Sequence, residues 1–358
     1  MTETVHQPAN TRPEAIQAEP AAGSATAPIP ILAIAGLALA AMCSGIALRM
    51  TDALLPRLAQ EFSVSLGQAS QVITIYSISY GLSQLVFGPM GDRFGKYRVV
   101  AWACMASALT SLLCAMATGH STLLAARLLA GISAAAVIPL SMAWIGDTIP
   151  FEQRQPILAR FLIGQISGFA IGVWIGGFAA DHLDWRTPFF AMALAFFVVA
   201  VALQGVRSRL PANADRTSAA MSGDMVGRVA REFRAVFDKP WARVVLLSVC
   251  LEGAFVFGPI AFIAAHLHLR FGLPLSSVGA IVMLFAVGGI IFALFARALV
   301  SRLGERVLVA AGSVLVLCSM LALAVGPIWW WAIPSCVVLG LGFYMMHNTL
   351  QTHATQMA

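Results

Sequence analysis

Ten stretches of about 20 apolar residues constrain the fold of this chain more than any other feature. They fall at residues 31–55, 70–91, 98–118, 121–145, 157–180, 187–206, 241–267, 276–298, 306–326 and 329–349. About 20 helical residues cross a hydrocarbon core about 30 Å thick, so each window has the length of one membrane crossing. Charged residues make up only 11% of the chain, against about 25% in a soluble domain. The sequence therefore predicts an all-α integral membrane protein with ten transmembrane helices.

Basic residues are spread unevenly over the connections between these windows. The connections on one side hold only Arg57, Arg186 and Arg270. Those on the other side hold Arg93, Lys96, Arg98, Arg154, Arg160, Arg297, Arg302 and Arg306. Lysine and arginine mark the cytoplasmic side, so we expect a multi-pass protein with both termini in the cytoplasm. The net charge of +6 then reports topology, and we expect no nucleic-acid partner.

The chain contains an internal repeat with a constant shift of 209 residues. Three pairs match at this shift: segment 62–67 with 271–276, segment 92–97 with 301–306, and Gly131 with Gly340. Each pair has the same place relative to its apolar windows, which indicates a duplicated helical unit.

The repeat and the polar segments divide the chain into four regions. We expect a disordered cytoplasmic tail at 1–28, a six-helix repeat at 29–206, a cytoplasmic central loop at 207–240 and an incomplete repeat of four helices at 241–358. The tail has one arginine, no apolar run and no signal-peptide pattern.

A short basic connection, Gly88-Pro-Met-Gly-Asp-Arg-Phe-Gly-Lys-Tyr-Arg98, joins the second and third windows. It resembles the cytoplasmic signature between the second and third helices of the major facilitator superfamily (MFS) and matches that signature at every defined position. The resemblance implies two parallel six-helix repeats that alternate between inward- and outward-open states. It also implies a cytoplasmic gate motif made of Gly88, Asp92, Arg93, Gly95, Lys96 and Arg98.

In the family, the acid of this signature faces the opposite half, including the positive end of the eleventh helix. At the shift of 209 residues, Ala358 corresponds to Ile149, so the second repeat stops after its fourth helix. We expect a truncated, frameshifted or incomplete chain, and the alternative is a natural ten-helix protein. Ser301 also replaces the acid in the second copy of the motif, so the sequence leaves Asp92 without its family partner.

Few charged residues lie inside the windows, and each costs about 2.5–3.5 kcal/mol to insert. Arg49 and Asp52 lie three residues apart on one face, Arg127 lies in the fourth window, and Glu252 lies midway in the seventh. A carboxylate beside an arginine stays ionised, whereas one that loses this partner in a dry cavity takes up a proton. These four residues are the predicted proton-coupling set.

Two resemblances support that set. Asp52-Ala-Leu-Leu-Pro56 resembles the first-helix signature of drug and sugar exporters in this superfamily. Leu124–Gly131 resembles the fourth-helix signature, in which the arginine is associated with proton transfer. The alternative is a permanent structural ion pair between Arg49 and Asp52. Glu252 has three options: a partner on another helix, a water-filled cavity, or burial as a neutral acid.

The fifth window carries a stripe of glycines at every fourth residue. The stripe and its neighbour are Gly164, Gly168, Gly172, Gly176 and Gly177. Such a bare face favours close helix packing, and we predict that it lies at the interface between the halves. The segment 168–177 resembles the antiporter signature of the family, although Val173 stands where that signature has proline.

Two polar stripes provide candidate contacts to a substrate. Tyr80 and Gln84 share a face in the second window, and Tyr344, His347 and Asn348 recur at helical spacing in the tenth. They could hydrogen-bond a hydroxylated or drug-like solute; the alternative is bonding to neighbouring helices.

The six cysteines lie inside the windows with no paired spacing and no accompanying histidine, so we expect no metal site. The chain also has no catalytic metal motif, paired intramembrane carboxylates or phosphate loop, so we expect no enzyme and no cofactor. We predict a monomer in a bacterial inner membrane that uses the proton gradient to export a drug-like compound or a sugar. The alternatives are an uncoupled or symporting facilitator of the same fold and an inactive truncated transporter.

Overall fold

A computed structural model describes residues 30–210 and 225–355, and every regular element in these two ranges is helical. The tail expected at 1–28 lies outside the described residues, as does the stretch 211–224 of the central loop. From Ile31 onward the described residues belong to one compact unit.

The first half contains eight helices. They are α1 Ile31–Glu61, α2 Leu66–Ala69, α3 Gln71–Phe94, α4 Lys96–Ala115, α5 His120–Ala134, α6 Val137–Thr148, α7 Phe151–His182 and α8 Thr187–Arg207.

The second half begins after the undescribed stretch. Its elements are α9 Met225–Phe237, α10 Pro240–Glu252, a π-helix at Gly253–Phe257, α11 Gly258–Phe271, α12 Leu275–Val325, a 3₁₀-helix at Trp329–Trp331 and α13 Ala332–Thr355.

The number of candidate crossings differs from the sequence-based expectation. Within the described ranges eight helices are long and apolar enough to cross a membrane, whereas ten crossings were predicted. Helix α3 is not among the eight, and the 51 residues of α12 count once. Inside α12, however, Gly304 leaves helical geometry with φ 71° and ψ 163°.

Prolines interrupt two windows that were predicted as continuous helices. The fourth window is split into α5 and α6 at Pro139. Pro139 has no N–H to donate to the carbonyl of Ala135, and in a continuous helix its ring would clash with that carbonyl. The seventh window is split by the π-helix, which precedes Pro259 near the start of α11. Because this proline cannot donate the regular helical hydrogen bond, the turn that precedes it is wider.

Equivalent backbone contacts occur at positions separated by the repeat shift. A Cβ added to Gly131 of α5 would overlap the carbonyl oxygen of Tyr76, and one added to Gly340 of α13 would overlap that of Phe285. Both members of the second pair lie 209 residues beyond those of the first. Gly95 has φ 92° and Gly304 has φ 71°, again at this shift, so the two short connections require glycine for the same reason.

The glycine stripe of α7 packs mainly within its own half, which corrects the predicted interface position. A Cβ on Gly164, Gly168, Gly172 or Gly176 would meet backbone atoms of α1 between residues 38 and 50. Gly177 alone of the five approaches α12 of the other half, at Leu275 and Ser276. The sequence periodicity identified a close-packed face but not the helix that packs on it.

The helix bundle has two ends, which we call the signature end and the opposite end. The signature end carries residues 88–98, and the opposite end carries Phe62–Leu66, His182–Arg186 and the start of α12 at Leu275. Apolar packing between the halves lies toward the opposite end, where Ala53 and Val173 of the first half join the core of the second.

Candidate functional site

Arg127 of α5 is fully buried and joins three helices of the first half. Its Nε donates to the carbonyl of Val72 at 3.2 Å, and its Nη1 donates to the carbonyl of Ala47 at 3.1 Å. Its Nη2 lies 3.4 Å from Oγ1 of Thr51. The guanidinium also stands over the ring of Tyr76, 3.9 Å from its centroid. The positive charge is thus held by backbone carbonyls and an aromatic face rather than by an acid.

Asp52 is paired with Arg49 on its own helix. Asp52 is 1% exposed, and its Oδ2 lies 3.1 Å from Nη2 of Arg49. The geometry is poor for a hydrogen bond, and neither carboxylate oxygen accepts one from a described residue. Among the described residues, Asp52 forms no direct ion pair with Arg127, but the two charges are close enough to interact electrostatically. The structure therefore places Arg127 near the Arg49–Asp52 pair without a hydrogen bond between them.

Glu252 finds its partner on another helix. It lies at the end of α10, is 7% exposed, and its Oε2 lies 3.0 Å from Nδ1 of His347 on α13. Its second oxygen, Oε1, is buried without a hydrogen-bond partner among the described residues. His347 stacks on Phe343, with ring centroids 5.0 Å apart. The first of the three options for Glu252 therefore applies in this structure.

Aromatic rings connect the two acid pairs across the halves. The guanidinium of Arg49 lies 5.5 Å from the ring centroid of Phe257, which belongs to the π-helix. The ring of Phe257 contacts that of Phe343 edge-to-face with centroids 5.1 Å apart, and the ring of Phe343 stacks on His347. An unbroken run of ring contacts thus extends from Arg49 to His347.

A cavity of about 490 Å³ opens between the halves toward the signature end. Its lining comes from α6, α7, α12 and α13 and is mostly apolar, with Ile138, Met142, Leu162, Ile166, Phe169 and Phe292 among the residues. The polar lining residues are Gln165, Tyr344, His347, Asn348 and Gln351.

The cavity contains one of the two predicted polar stripes. Tyr344, His347 and Asn348 all line it, whereas Tyr80 and Gln84 do not. Tyr80 instead stacks on Tyr76 at 6.1 Å, and Gln84 is exposed. Because His347 touches both the cavity and Glu252, a bound solute would lie next to this acid pair.

The signature segment makes its ion pairs inside its own half. Nζ of Lys96 lies 3.3 Å from Asp92 and 2.5 Å from Asp147 at the end of α6. Arg93 and Arg98 stand over Phe94 and Trp102 respectively. Asp147 was not predicted, although an acid at the end of an apolar window is a visible signal.

No group of three histidine, cysteine or acidic side chains able to hold a metal ion occurs within residues 30–210 and 225–355. Of the six free cysteines, Cys43, Cys104, Cys114 and Cys336 are buried. They pack as small apolar residues.

Known proteins that resemble this chain share one family. The model of the Major Facilitator Superfamily matches residues 37–358. The MFS-type transporter YceJ of Bacillus subtilis (strain 168) is 26% identical over 255 residues, which cover 70% of this chain and 62% of YceJ. The multidrug export protein EmrB of Escherichia coli (strain K12) is 28% identical over 156 residues, which cover 43% of this chain and 30% of EmrB. The chain thus spans less than two thirds of the length of both relatives.

A solved structure shares the fold. The crystal structure of a mutant of the nucleoside transporter NupG aligns with a TM-score of 0.72 at 15% identity. The alignment covers 92% of this chain and 83% of NupG.

Proposed function

Because the chain belongs to the Major Facilitator Superfamily, we propose that it exports a small solute across a membrane in exchange for protons. Membership of the family makes it a multi-pass membrane transporter rather than an enzyme.

The observation that carries the proposal is the contact between Glu252 and His347 at the cavity wall. Oε2 of Glu252 and Nδ1 of His347 lie 3.0 Å apart, so a carboxylate and an imidazole can share one proton in this hydrogen bond. His347 also lines the cavity, so a solute that binds its ring competes with Glu252 for the shared proton. By thermodynamic linkage, the proton then changes the affinity for the solute by the same factor.

The first half supplies a second buried acid. Asp52 beside Arg49 lies at the other end of the aromatic run, and Arg127 holds α1, α3 and α5 around it. We assign Asp52 and Arg49 to proton coupling and give Arg127 a supporting part, because its guanidinium is occupied by carbonyls.

The proposed topology has ten crossings and a cytoplasmic N-terminus in a bacterial inner membrane. A helix of 51 residues would be about 77 Å long, more than twice the hydrocarbon core of about 30 Å. Two crossings joined at Gly304 fit that thickness and bring the eight candidate helices to nine crossings. The tenth is α3, whose 24 residues are long enough to cross the core. The exposed Trp330 and Trp331 at the start of the last crossing suit the opposite membrane interface.

The cavity favours a drug-like solute over a sugar. Its walls are mostly aliphatic and aromatic, with amide, phenol and imidazole groups on α7 and α13. Apolar pockets with a few polar groups suit amphipathic organic molecules. EmrB, one of the similar proteins, is described as a multidrug export protein.

Transport of ethidium into proteoliposomes that contain the full chain tests the proposal. Ethidium carries a permanent charge, so a pH gradient cannot trap it as it traps a weak base. With an acidic lumen, one-for-one exchange supports about a tenfold accumulation per pH unit, and nigericin should abolish it. We expect Asp52→Asn and Glu252→Gln to lose the response to the gradient, and Asp184→Asn, an exposed acid, to keep it.

Uncoupled or symporting transport by the same fold is the competing function. Equal ethidium flux with and without the gradient, in the parent and in both acid variants, would favour an uncoupled facilitator. Accumulation that follows the proton inward would favour symport. Either result rules out the proposed exchange.

A further inference from the structure

An acid of the first half caps a helix of the second half at the opposite end. Oδ1 of Asp181 accepts a hydrogen bond from the backbone N–H of Leu275 at 3.1 Å. Its Oδ2 accepts two more from Ser276, from the N–H and from the hydroxyl, both at 2.7 Å. Leu275 and Ser276 are the first two residues of α12, so Asp181 of α7 satisfies donors that a helix start leaves unpaired.

Helix α12 has no cap of its own. The residue that precedes it is Pro274, which has no side-chain acceptor and makes no capping hydrogen bond. The first half differs at the equivalent position, 209 residues earlier, where Ser65 precedes α2. Oγ of Ser65 accepts from the N–H of Gln68 at 3.2 Å, and Gln68 bonds back at 3.0 Å. In the first repeat a residue of the same segment caps this helix start, whereas in the second repeat the cap comes from a residue of the other half.

The backbones of α7 and α12 touch beside this cap. A Cβ on Gly177 would overlap the carbonyl oxygen of Leu275, and one on Gly279 would lie 2.9 Å from the carbonyl oxygen of Val173. Val278, between these contacts, is completely buried. The halves are therefore sealed at this end, while the cavity opens toward the other.

We propose that Asp181 is a latch: a positioning residue that holds the opposite end of the solute pathway closed and releases α12 when that end opens. The role rests on the alternating transport cycle of the proposed function. In the closed state the carboxylate gains three charge-assisted hydrogen bonds and lies at the positive end of α12. In the open state the carboxylate and the two backbone N–H groups lose each other and form hydrogen bonds to water instead. The three bonds therefore bias the protein toward closure at this end.

Labelling of a buried cysteine tests the latch directly. Val278→Cys is introduced into a chain whose six native cysteines are replaced, and a membrane-impermeant maleimide is added from the side of the opposite end. Asp181 is exposed, so water reduces the contribution of each bond, and the three bonds together correspond to about tenfold in an equilibrium. We therefore expect Asp181→Asn and Asp181→Ala to raise the labelling rate about tenfold, and Asp181→Glu to stay near the parent rate.

Two controls separate a latch from a merely stabilising cap. Asp184→Asn removes the same charge three residues away and should leave the rate unchanged, because Asp184 bonds, among the described residues, only within its own turn and to Arg186. Pro274→Ser, combined with Asp181→Ala, gives α12 an internal cap of the kind that Ser65 provides. A latch predicts that labelling stays high in this double variant, because the helix is restored but the halves are not joined.

Two results would overturn the latch. One is an unchanged labelling rate in Asp181→Asn, and the other is full reversal of the Asp181→Ala effect by Pro274→Ser. The labelling needs neither solute nor pH gradient, so its outcome is independent of the ethidium experiment. Failure of proton-coupled transport with intact labelling effects would reject the proposed exchange and keep the latch.

Discussion

The buried charges of this bundle are solvated in different ways, and this determines what each can do. Arg127 is satisfied by two carbonyls, a hydroxyl and the Tyr76 ring. Glu252 and Asp52 instead keep buried oxygens without hydrogen bonds from described residues. A fully bonded charge stabilises the structure, whereas an incompletely bonded one responds to whatever binds beside it. The acids, rather than the arginine, are the residues suited to coupling.

Arg127→Lys tests this division of roles. Lysine cannot reproduce the planar fork that reaches Val72, Ala47 and Thr51. Losing one or two hydrogen bonds from a charged donor should cost about 2–4 kcal/mol of stability. Thermal unfolding in detergent should therefore begin at a clearly lower temperature.

The matched control is Arg160→Lys, since Arg160 is exposed on α7. Its unfolding temperature should equal that of the parent. If Arg127→Lys were equally stable while losing only the response to a pH gradient, Arg127 would belong with the acids instead.

Among the helices, prolines determine where a helix departs from regular α-geometry, and glycines determine which helices pack in backbone contact. The π-helix at Gly253–Phe257 lies directly after Glu252 and carries Phe257, the residue that reaches Arg49. Pro259 accounts for its position. Because π-turns are rare and occur mostly as single turns at functional sites, we expect α10 and α11 to change their relative angle at this segment.

Gly176→Ala should destabilise the first half. A Cβ there would overlap the carbonyl oxygen of Met50, and a backbone atom cannot move aside as a flexible side chain does. Overpacking of this kind costs about 1–3 kcal/mol, which detergent unfolding curves will detect.

Gly205→Ala on α8 is the control for that substitution. Apart from its chain neighbours and the backbone of its own helix, no atom of the described residues lies within 4 Å of the Cβ position of Gly205. Alanine should therefore be neutral or stabilise the helix by up to about 1 kcal/mol. Equal effects of the two substitutions would mean that the contact between α1 and α7 is looser than described.

At the scale of the whole molecule, the sequence predicted the fold well because hydropathy and short glycine motifs are local properties. The repeat shift predicted Gly304 as the partner of Gly95, and both adopt positive φ. The sites were predicted less well because their partners come from distant segments. Nothing in the sequence pairs Glu252 with His347, Lys96 with Asp147, or Asp181 with the start of α12.

If α12 crosses the membrane twice with a reversal at Gly304, residues 301 and 328 lie on opposite sides of the membrane. A cysteine replacing Ser301 should react only from the cytoplasmic side, like the signature end, and one replacing Ile328 only from the other side. Both positions are exposed, so impermeant maleimides can reach them. Protection of the cysteine at 301 from both sides would contradict a reversal at Gly304.

Proton release on solute binding is the direct measure of exchange through the Glu252–His347 pair. Purified full chain in weakly buffered detergent is mixed with ethidium while the pH is recorded. Linkage predicts release of up to about one proton per bound dye, and release should be lost in Glu252→Gln and in His347→Gln. His266→Gln, whose ring bonds the carbonyl of Leu323, should behave as the parent. Undiminished release from Glu252→Gln, with dye still bound, would rule out exchange through this pair.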